Sequence, residues 1–268
     1  MNSLNGIAMP EIRATDGVRI AWEERGSGKP LLLLMGLGAD RTAWSPHVDD
    51  WERSFRCILV DNRGAGASDA PAGPYTTARM ADDAAEVLRA LDVDRASVVG
   101  ISMGGAIAQQ MGLRHPELVD RLVLTASWAG MNPVSEDVFA ELLAARELFS
   151  ATDFVRRLQL LIWSPSAYAE RAAQLRADRA DPALSVSDDA FAAQVHACLA
   201  HDVRAALPQV VAPVLITCGA ADVFTPIAAS EELSRLLPNS TTEMFAGGHA
   251  HHWEELDRFN RLCEEFLQ

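Results

Sequence analysis

Long apolar runs and basic runs are both missing from this chain. No hydrophobic stretch approaches the ~20 residues of a membrane span. The opening Met1-Asn2-Ser3-Leu4-Asn5-Gly6 has no basic start followed by an apolar core, so no signal peptide is evident. Positive charge is scarce, with 23 Lys and Arg against 37 Asp and Glu and a formal net charge of −14. Such a chain repels phosphate backbones and anionic lipid, so neither nucleic acid nor a membrane surface is predicted as a partner. Cysteine is sparse too. Cys57, Cys198, Cys218 and Cys263 lie far apart with no C-x-x-C pair, two of them beside apolar strand-like runs. They read as reduced core residues of a cytoplasmic protein. Phosphate and dinucleotide loops are absent as well. Gly64-Ala65-Gly66-Ala67-Ser68 lacks the P-loop lysine, no G-x-G-x-x-G opens a helix, and no H-E-x-x-H occurs.

What is present is enough apolar mass for a large core. Of 268 residues, 49% are hydrophobic, which suits one large α/β domain or two small ones. Strand-like and helix-like segments alternate. Arg13 to Glu24 reads as a hairpin turning at Asp16-Gly17. Leu31–Met35 and Cys57–Val60 are continuous apolar runs, the pattern of strands buried on both faces. Thr76–Leu91 has helical spacing. Ser97–Ser102, Leu122–Ala126, Val214–Cys218 and Thr242–Phe245 are further strands, and helices are predicted at Ala228–Leu237 and Trp253–Leu267. This alternation predicts a mostly parallel sheet with helices on both faces.

Between Ala126 and Pro213 the rhythm breaks for a stretch far longer than an ordinary connection. Val138, Phe139, Leu142, Leu143 and Phe149 share one helical face. Phe154, Leu158, Leu161 and Ile162 make a second stripe. Phe191, Val195, Cys198 and Leu199 make a third, behind a cap at Ser187-Asp188-Asp189. Residues 128–212 are read as a helical lid inserted after the sixth strand, with 1–127 and 213–268 as the core. A separate small domain is the alternative, disfavoured by the lack of Pro/Gly/Ser linkers at both ends.

The most informative stretch is Gly100-Ile101-Ser102-Met103-Gly104, a G-x-S-x-G between an apolar strand and a helix-like segment. In that setting the glycines make room for a sharp turn that lifts a serine hydroxyl to a helix N-terminus. A plain glycine-rich turn with a chance serine is the competing reading. Serine needs a base and a group to orient that base. Asp222 follows the Val214–Cys218 strand and His249 follows Thr242–Phe245, so both fall at C-terminal strand ends, where open parallel sheets place their sites. The order Ser, Asp, His is that of the α/β-hydrolases.

On Leu34-Met35-Gly36-Leu37-Gly38, Asp61 to Asp69, Val99 to Gly105, Gly219-Ala220-Ala221-Asp222 and Gly247-Gly248-His249, the chain resembles the α/β-hydrolase superfamily over almost its whole length. Within it, the likeness is to the 3-oxoadipate enol-lactonase-like and small-ester-hydrolase branch. The resemblance implies Ser102 as nucleophile, His249 as general base and Asp222 as its orienting acid. It implies an oxyanion hole from the backbone N–H groups of Leu37 and Met103. The chain departs from the family at Met35, where many relatives have histidine, which puts in question how that loop is held.

Several residues invite other readings. His249, His251 and His252 sit near Glu254 and Glu255 as if to ligate a metal. The glycine-framed loop instead favours His249 as base, with His251 and His252 opening the next helix or lining a pocket rim. Asp61 and Asp69 read as loop structure. Ser102 at the turn argues against a carboxylate nucleophile. Trp128 and Trp163 are candidate substrate contacts, while Phe139, Phe154 and Tyr168 read first as lid core. The sequence therefore predicts a cofactor-free, metal-free serine hydrolase acting on a small-to-moderate apolar ester or lactone, with a homodimer left open. The same triad would serve C–C bond hydrolysis or cofactor-free perhydrolysis, and a non-catalytic ligand-binding relative is a further alternative.

Overall fold

The computed structural model describes residues 9–180 and 186–268. Eight strands form one sheet in the order β1-β2-β4-β3-β5-β6-β7-β8. β1 (Glu11–Arg13) and β2 (Arg19–Gly26) are the antiparallel hairpin, with Gly17 at φ 85° in its turn. β2 continues antiparallel beside β4, and the remaining neighbours are parallel. These are β3 (Lys29–Leu34), β4 (Phe55–Val60), β5 (Ala96–Ile101), β6 (Val119–Thr125), β7 (Val214–Gly219) and β8 (Ser240–Phe245).

The unbroken apolar runs serve two cores at once. In β3, Leu32 and Leu34 point to one face, where Met80 and Leu88 of α2 (Thr77–Ala90) and Ile107 and Met111 of α3 (Met103–Arg114) meet them. Leu31 and Leu33 point to the other, against Trp51 of α1 (Ser45–Trp51) and against Phe259 and Cys263 near the C-terminus. Alternation along a pleated strand sends neighbours to opposite faces, so a strand covered on both sides must be apolar throughout. Each fully buried leucine contributes about 1.5–3 kcal/mol. β8 lies at the sheet edge, and its Thr241, Thr242 and Glu243 are exposed. All four cysteines are buried as free thiols.

Between β6 and β7 the chain leaves the sheet and forms α4 (Pro133–Leu148), α5 (Ala151–Ile162), α6 (Pro165–Glu170), α7 (Ala172–Asp178) and α8 (Asp188–Leu199). Asn132, Ser150, Ser164 and Ser187 cap four of these helices by accepting a backbone N–H three residues on. A Gly130–Asp202 bridge ties the two ends of the insert together. Phe149, expected on the packed face, is instead the C-cap of α4. It is partly exposed, with the Arg157 guanidinium over its ring. α9 (Ile227–Leu236) follows β7. The helix predicted from Trp253 to Leu267 is two helices, α10 (His251–Glu254) and α11 (Leu256–Leu267), broken at Glu255. The carboxylates at the break explain it: Glu254 accepts from Gly248 N and Ser164 N, and Glu255 from Ala246 N. Among the described residues, no helix is long and apolar enough to cross a membrane.

Candidate active site

β5 ends at Ile101 and α3 begins at Met103, so Ser102 alone makes the turn. Its φ of 55° and ψ of −116° are unusual for a residue with a side chain. The strained backbone is held from both sides. Ser102 N donates to Thr125 O at 2.8 Å, and Ser102 O accepts from Ala106 N and Ser127 Oγ, each at 3.1 Å. The flanking glycines are sterically required. A Cβ on Gly100 would overlap the Gly104 carbonyl, and one on Gly104 would overlap the Leu34 carbonyl.

Asp222 sits in the loop after β7 with its side chain fully buried. Its Oδ1 accepts from Phe224 N at 2.8 Å and Thr225 N at 3.0 Å, and its Oδ2 accepts from Thr225 Oγ1 at 2.6 Å. His249, in the loop after β8, places Nδ1 2.8 Å from Asp222 Oδ2. Burial alone would raise the Asp222 pKa. The attraction of His249 and the hydrogen bonds from His249 and Thr225 outweigh it and hold the carboxyl below the usual range. No hydrogen bond joins Ser102 Oγ to His249 among the described residues. Such contacts are often long without substrate and tighten in the complex.

The loop after β3 lies against the serine: a Cβ on Gly36 would come within 3.3 Å of Ser102 Cβ. With methionine at position 35, two other side chains hold this loop. Asn62 Nδ2 donates to Met35 O at 2.9 Å. Gln194, fully buried on α8, accepts from Gly38 N at 3.0 Å and donates to Arg63 O at 3.1 Å. The N–H groups of Leu37 and Met103 have no acceptor among the described residues, the second because the first turn of a helix leaves its donors free.

Ser102 and His249 open into one cavity of about 160 Å³. Its floor is Met35 to Ala39 and Ile101. Its walls are Phe139, Leu142, Leu158 and Ile162 from the insert, with Phe224 and Trp253 from the core. An apolar cavity of about 150 Å³ accepts benzene, so this one takes a group of roughly that size.

The structure brings together Ser102, Asp222, His249, Leu37 and Met103. It does not bring Trp128 or Trp163 to the cavity. Trp128 is buried behind the wall, packed edge-on to Phe139 at 5.7 Å and near His201. Trp163 follows the last residue of α5 and stacks at 6.2 Å on Trp253, the cavity wall, beneath Arg171. The predicted contacts were therefore one layer too far out. Phe139, expected first as lid core, lines the cavity. The three clustered histidines diverge. His249 turns to Asp222, His251 Nε2 to Thr217 Oγ1 at 3.0 Å, and His252 Nδ1 to His47 Nε2 at 3.1 Å. Among the described residues no group of three or more His, Cys, Asp or Glu side chains is placed to hold a metal ion.

Sequence reasoning missed Gln194 and Glu254, which tie the insert to the site. Glu254 Oε1 accepts from Ser164 N at 2.8 Å and Gly248 N at 3.1 Å, and its Oε2 accepts from Ser164 Oγ at 2.6 Å. Neither tie to the insert has a local signal, because Gln194 reaches residues more than 130 positions away and the Glu254–Ser164 contact spans 90.

The model of the alpha/beta hydrolase fold family matches residues 29–256. This chain belongs to the α/β-hydrolase fold family. It is 30% identical to the proposed carbamate hydrolase RutD of Caulobacter sp. (strain K31), over 88% of this chain and 90% of that one. Among solved structures it is similar to a hydrolase from Pseudomonas aeruginosa PA01, with 30% identity, TM-score 0.87, and coverage of 98% of this chain and 99% of that one. It is also similar to Est816, an N-acyl homoserine lactone degrading enzyme. There the identity is 29%, the TM-score 0.84, and the coverage 96% of this chain and 100% of the other. Family membership and the hydrolase relatives together make this chain a hydrolase.

Proposed function

We propose that the chain hydrolyses a carboxylic ester or lactone of small-to-moderate, mostly apolar character through an acyl-enzyme on Ser102, without a cofactor. The carrying observation is the 2.8 Å contact of His249 Nδ1 with the buried Asp222 carboxylate, beside a strained serine on the same cavity. A carboxylate accepts, so the imidazole keeps its proton on Nδ1 and Nε2 is left as the base.

In this reading Ser102 Oγ attacks the carbonyl carbon while its proton passes to His249 Nε2. The carbonyl oxygen becomes an oxyanion held by the N–H groups of Leu37 and Met103, whose free donors support that role. Collapse breaks the bond to the alkoxy oxygen, which takes the proton from His249 and leaves as an alcohol. In a lactone it stays attached as a hydroxyl. Water then attacks the acyl carbon, gives its proton to His249, and a second collapse returns the proton to Ser102 and frees the acid. Asp222 stabilises the imidazolium in both halves. The apolar walls and the cavity volume support a compact apolar group beside the serine.

Carbamates are the second substrate class, because the RutD relatives carry that name and a carbamate carbonyl allows the same tetrahedral route. C–C hydrolysis of a vinylogous diketone and perhydrolysis use the same residues. The test is a panel of aryl esters, lactones, carbamates, diketones, and peroxide with acetate, run on wild type and Ser102→Ala, with fluorophosphonate labelling. Ser102 should take the label, and the variant should lose on the order of 10⁶ in kcat. Hydrolysis retained in Ser102→Ala overturns the reading.

A further inference from the structure

His252 lines the cavity beside His249 and Ser102, yet the mechanism above gives it no task. It heads a row of side chains that ends at the surface. His252 Nδ1 lies 3.1 Å from His47 Nε2, and His47 Nδ1 lies 2.6 Å from Asn260 Oδ1. Asn260 Nδ2 donates to Asp50 Oδ2 at 2.8 Å. His47, Asn260 and His252 are buried and Asp50 is exposed.

The surface carboxylate fixes the direction of every bond in the row. Asp50 can only accept, so the Asn260 amide nitrogen must face it and the amide oxygen must face His47. That oxygen can only accept, so His47 carries its proton on Nδ1. Burial, the main cause, pushes His47 down to about 4 and His252 well below the usual histidine value, so both rings are neutral. A neutral His47 protonated on Nδ1 has a lone pair on Nε2, and His252 must donate to it from Nδ1. His252 Nε2 is then a bare lone pair.

That atom has no protein partner among the described residues. Nor is it sealed away, as the unpaired indole nitrogens of Trp22, Trp44 and Trp128 are. The opening beside His252 is the cavity. An acceptor held at an otherwise apolar wall is left unpaired by any ligand that offers no donor.

We propose that His252 Nε2 is a specificity-determining acceptor, and that the preferred substrate carries a hydroxyl or N–H donor on the group seated in the cavity. This rests on the hydrolase reading above and narrows its substrate class. The row of His47, Asn260 and Asp50 acts through His252 by fixing its tautomer. A fixed tautomer discriminates more sharply than a free imidazole, which would turn a donor or an acceptor to suit its ligand.

Two measurements test it. Long-range ¹H–¹⁵N spectra of the imidazoles in the intact wild-type chain should show His252 protonated on Nδ1 and unprotonated on Nε2. Matched 4-nitrophenyl esters then compare a donor with its methylated partner: glycolate against methoxyacetate for the hydroxyl, and N-acetylglycinate against N-acetylsarcosinate for the N–H. Wild type should favour the donor ester in at least one pair by about tenfold in kcat/KM, the scale of one neutral hydrogen bond. The responding pair names the donor. In His252→Phe the ratio should fall to within about twofold of unity. A proton on Nε2 overturns the proposal, as do ratios equal in wild type and variant for both pairs. A wild type active on 4-nitrophenyl acetate with equal ratios overturns this proposal alone. A wild type inactive on that ester overturns the hydrolase reading as well.

Discussion

The strand-end loops and the helical insert face each other across one cavity, and they are built by opposite means. At the strand ends, position is fixed locally. Ser102 is a one-residue turn between strand and helix, and Asp222 takes two N–H groups from within three residues of itself. In the insert, position is fixed at long range. Phe139, Leu142, Leu158 and Ile162 reach the cavity because their helices pack as they do, and the insert is fastened to the loops by Gln194 and Glu254. The difference separates two tasks. Local geometry sets which bond-making step is possible. Long-range packing sets what is admitted to it and whether the loop after β3 keeps its shape.

If that division holds, the largest effect comes from the orienting carboxylate. Asp222→Asn keeps the shape of the side chain but offers an N–H where His249 Nδ1 needs an acceptor, so the imidazole loses its base tautomer. Ester hydrolysis should fall about 10⁴-fold in kcat with the fold intact. A loss under tenfold, measured on a purified variant with an unchanged melting temperature, would move the catalytic base away from His249.

A smaller effect tests whether the insert does more than form a wall. Gln194→Leu leaves Gly38 N and Arg63 O without their partner, and the loop carrying the Leu37 N–H loses its clamp. Outright loss of an oxyanion donor costs about 10²–10³ in rate, so loosening one should cost about ten- to a hundredfold. The fall should appear in kcat with KM little changed, since the donor matters most in the transition state. Gln194→Glu can still accept from Gly38 N but cannot donate to Arg63 O, and it should recover part of the rate. Equal kcat in wild type and Gln194→Leu would reduce the insert to a passive cover.

The same division explains what was legible in the chain. The Asp16-Gly17 hairpin, the double-faced runs of β3 and β4, and the glycines around Ser102 are short-range signals, and each corresponds to what the structure contains. Asp222 and His249 were legible because strand ends can be counted along the sequence. The division of Trp253–Leu267 into α10 and α11 was not. Its cause is Glu254 and Glu255 reaching back to the loop after β8 and to Ser164, while the hydrophobic spacing runs straight through. Met35 looked like a missing hydrogen bond, because its replacements, Asn62 and Gln194, come from a neighbouring loop and from α8. His47 and Asn260 gave no signal either, as the row they form with His252 spans more than 200 residues.

Trp128 and Phe139 give the finest test, because sequence proximity and packing disagree about them. Trp128 stands just past β6 and reads as a pocket residue, yet it packs on the far side of Phe139 from the cavity. Its indole nitrogen has no hydrogen-bond partner among the described residues. Trp128→Phe should therefore leave kcat/KM for short and long acyl esters within about twofold of wild type, at some cost in stability from lost packing. Phe139→Ala removes a wall. It should shift the preferred 4-nitrophenyl ester to a longer acyl chain and lower kcat/KM for the acetate a few-fold, because a smaller acyl group then sits less firmly beside Ser102. Assays across acyl lengths, alongside thermal melts to show that both variants are folded, separate the two residues. A chain-length shift in Trp128→Phe but not in Phe139→Ala would reverse the assignment of the wall and put strand proximity ahead of helix packing as the source of selectivity.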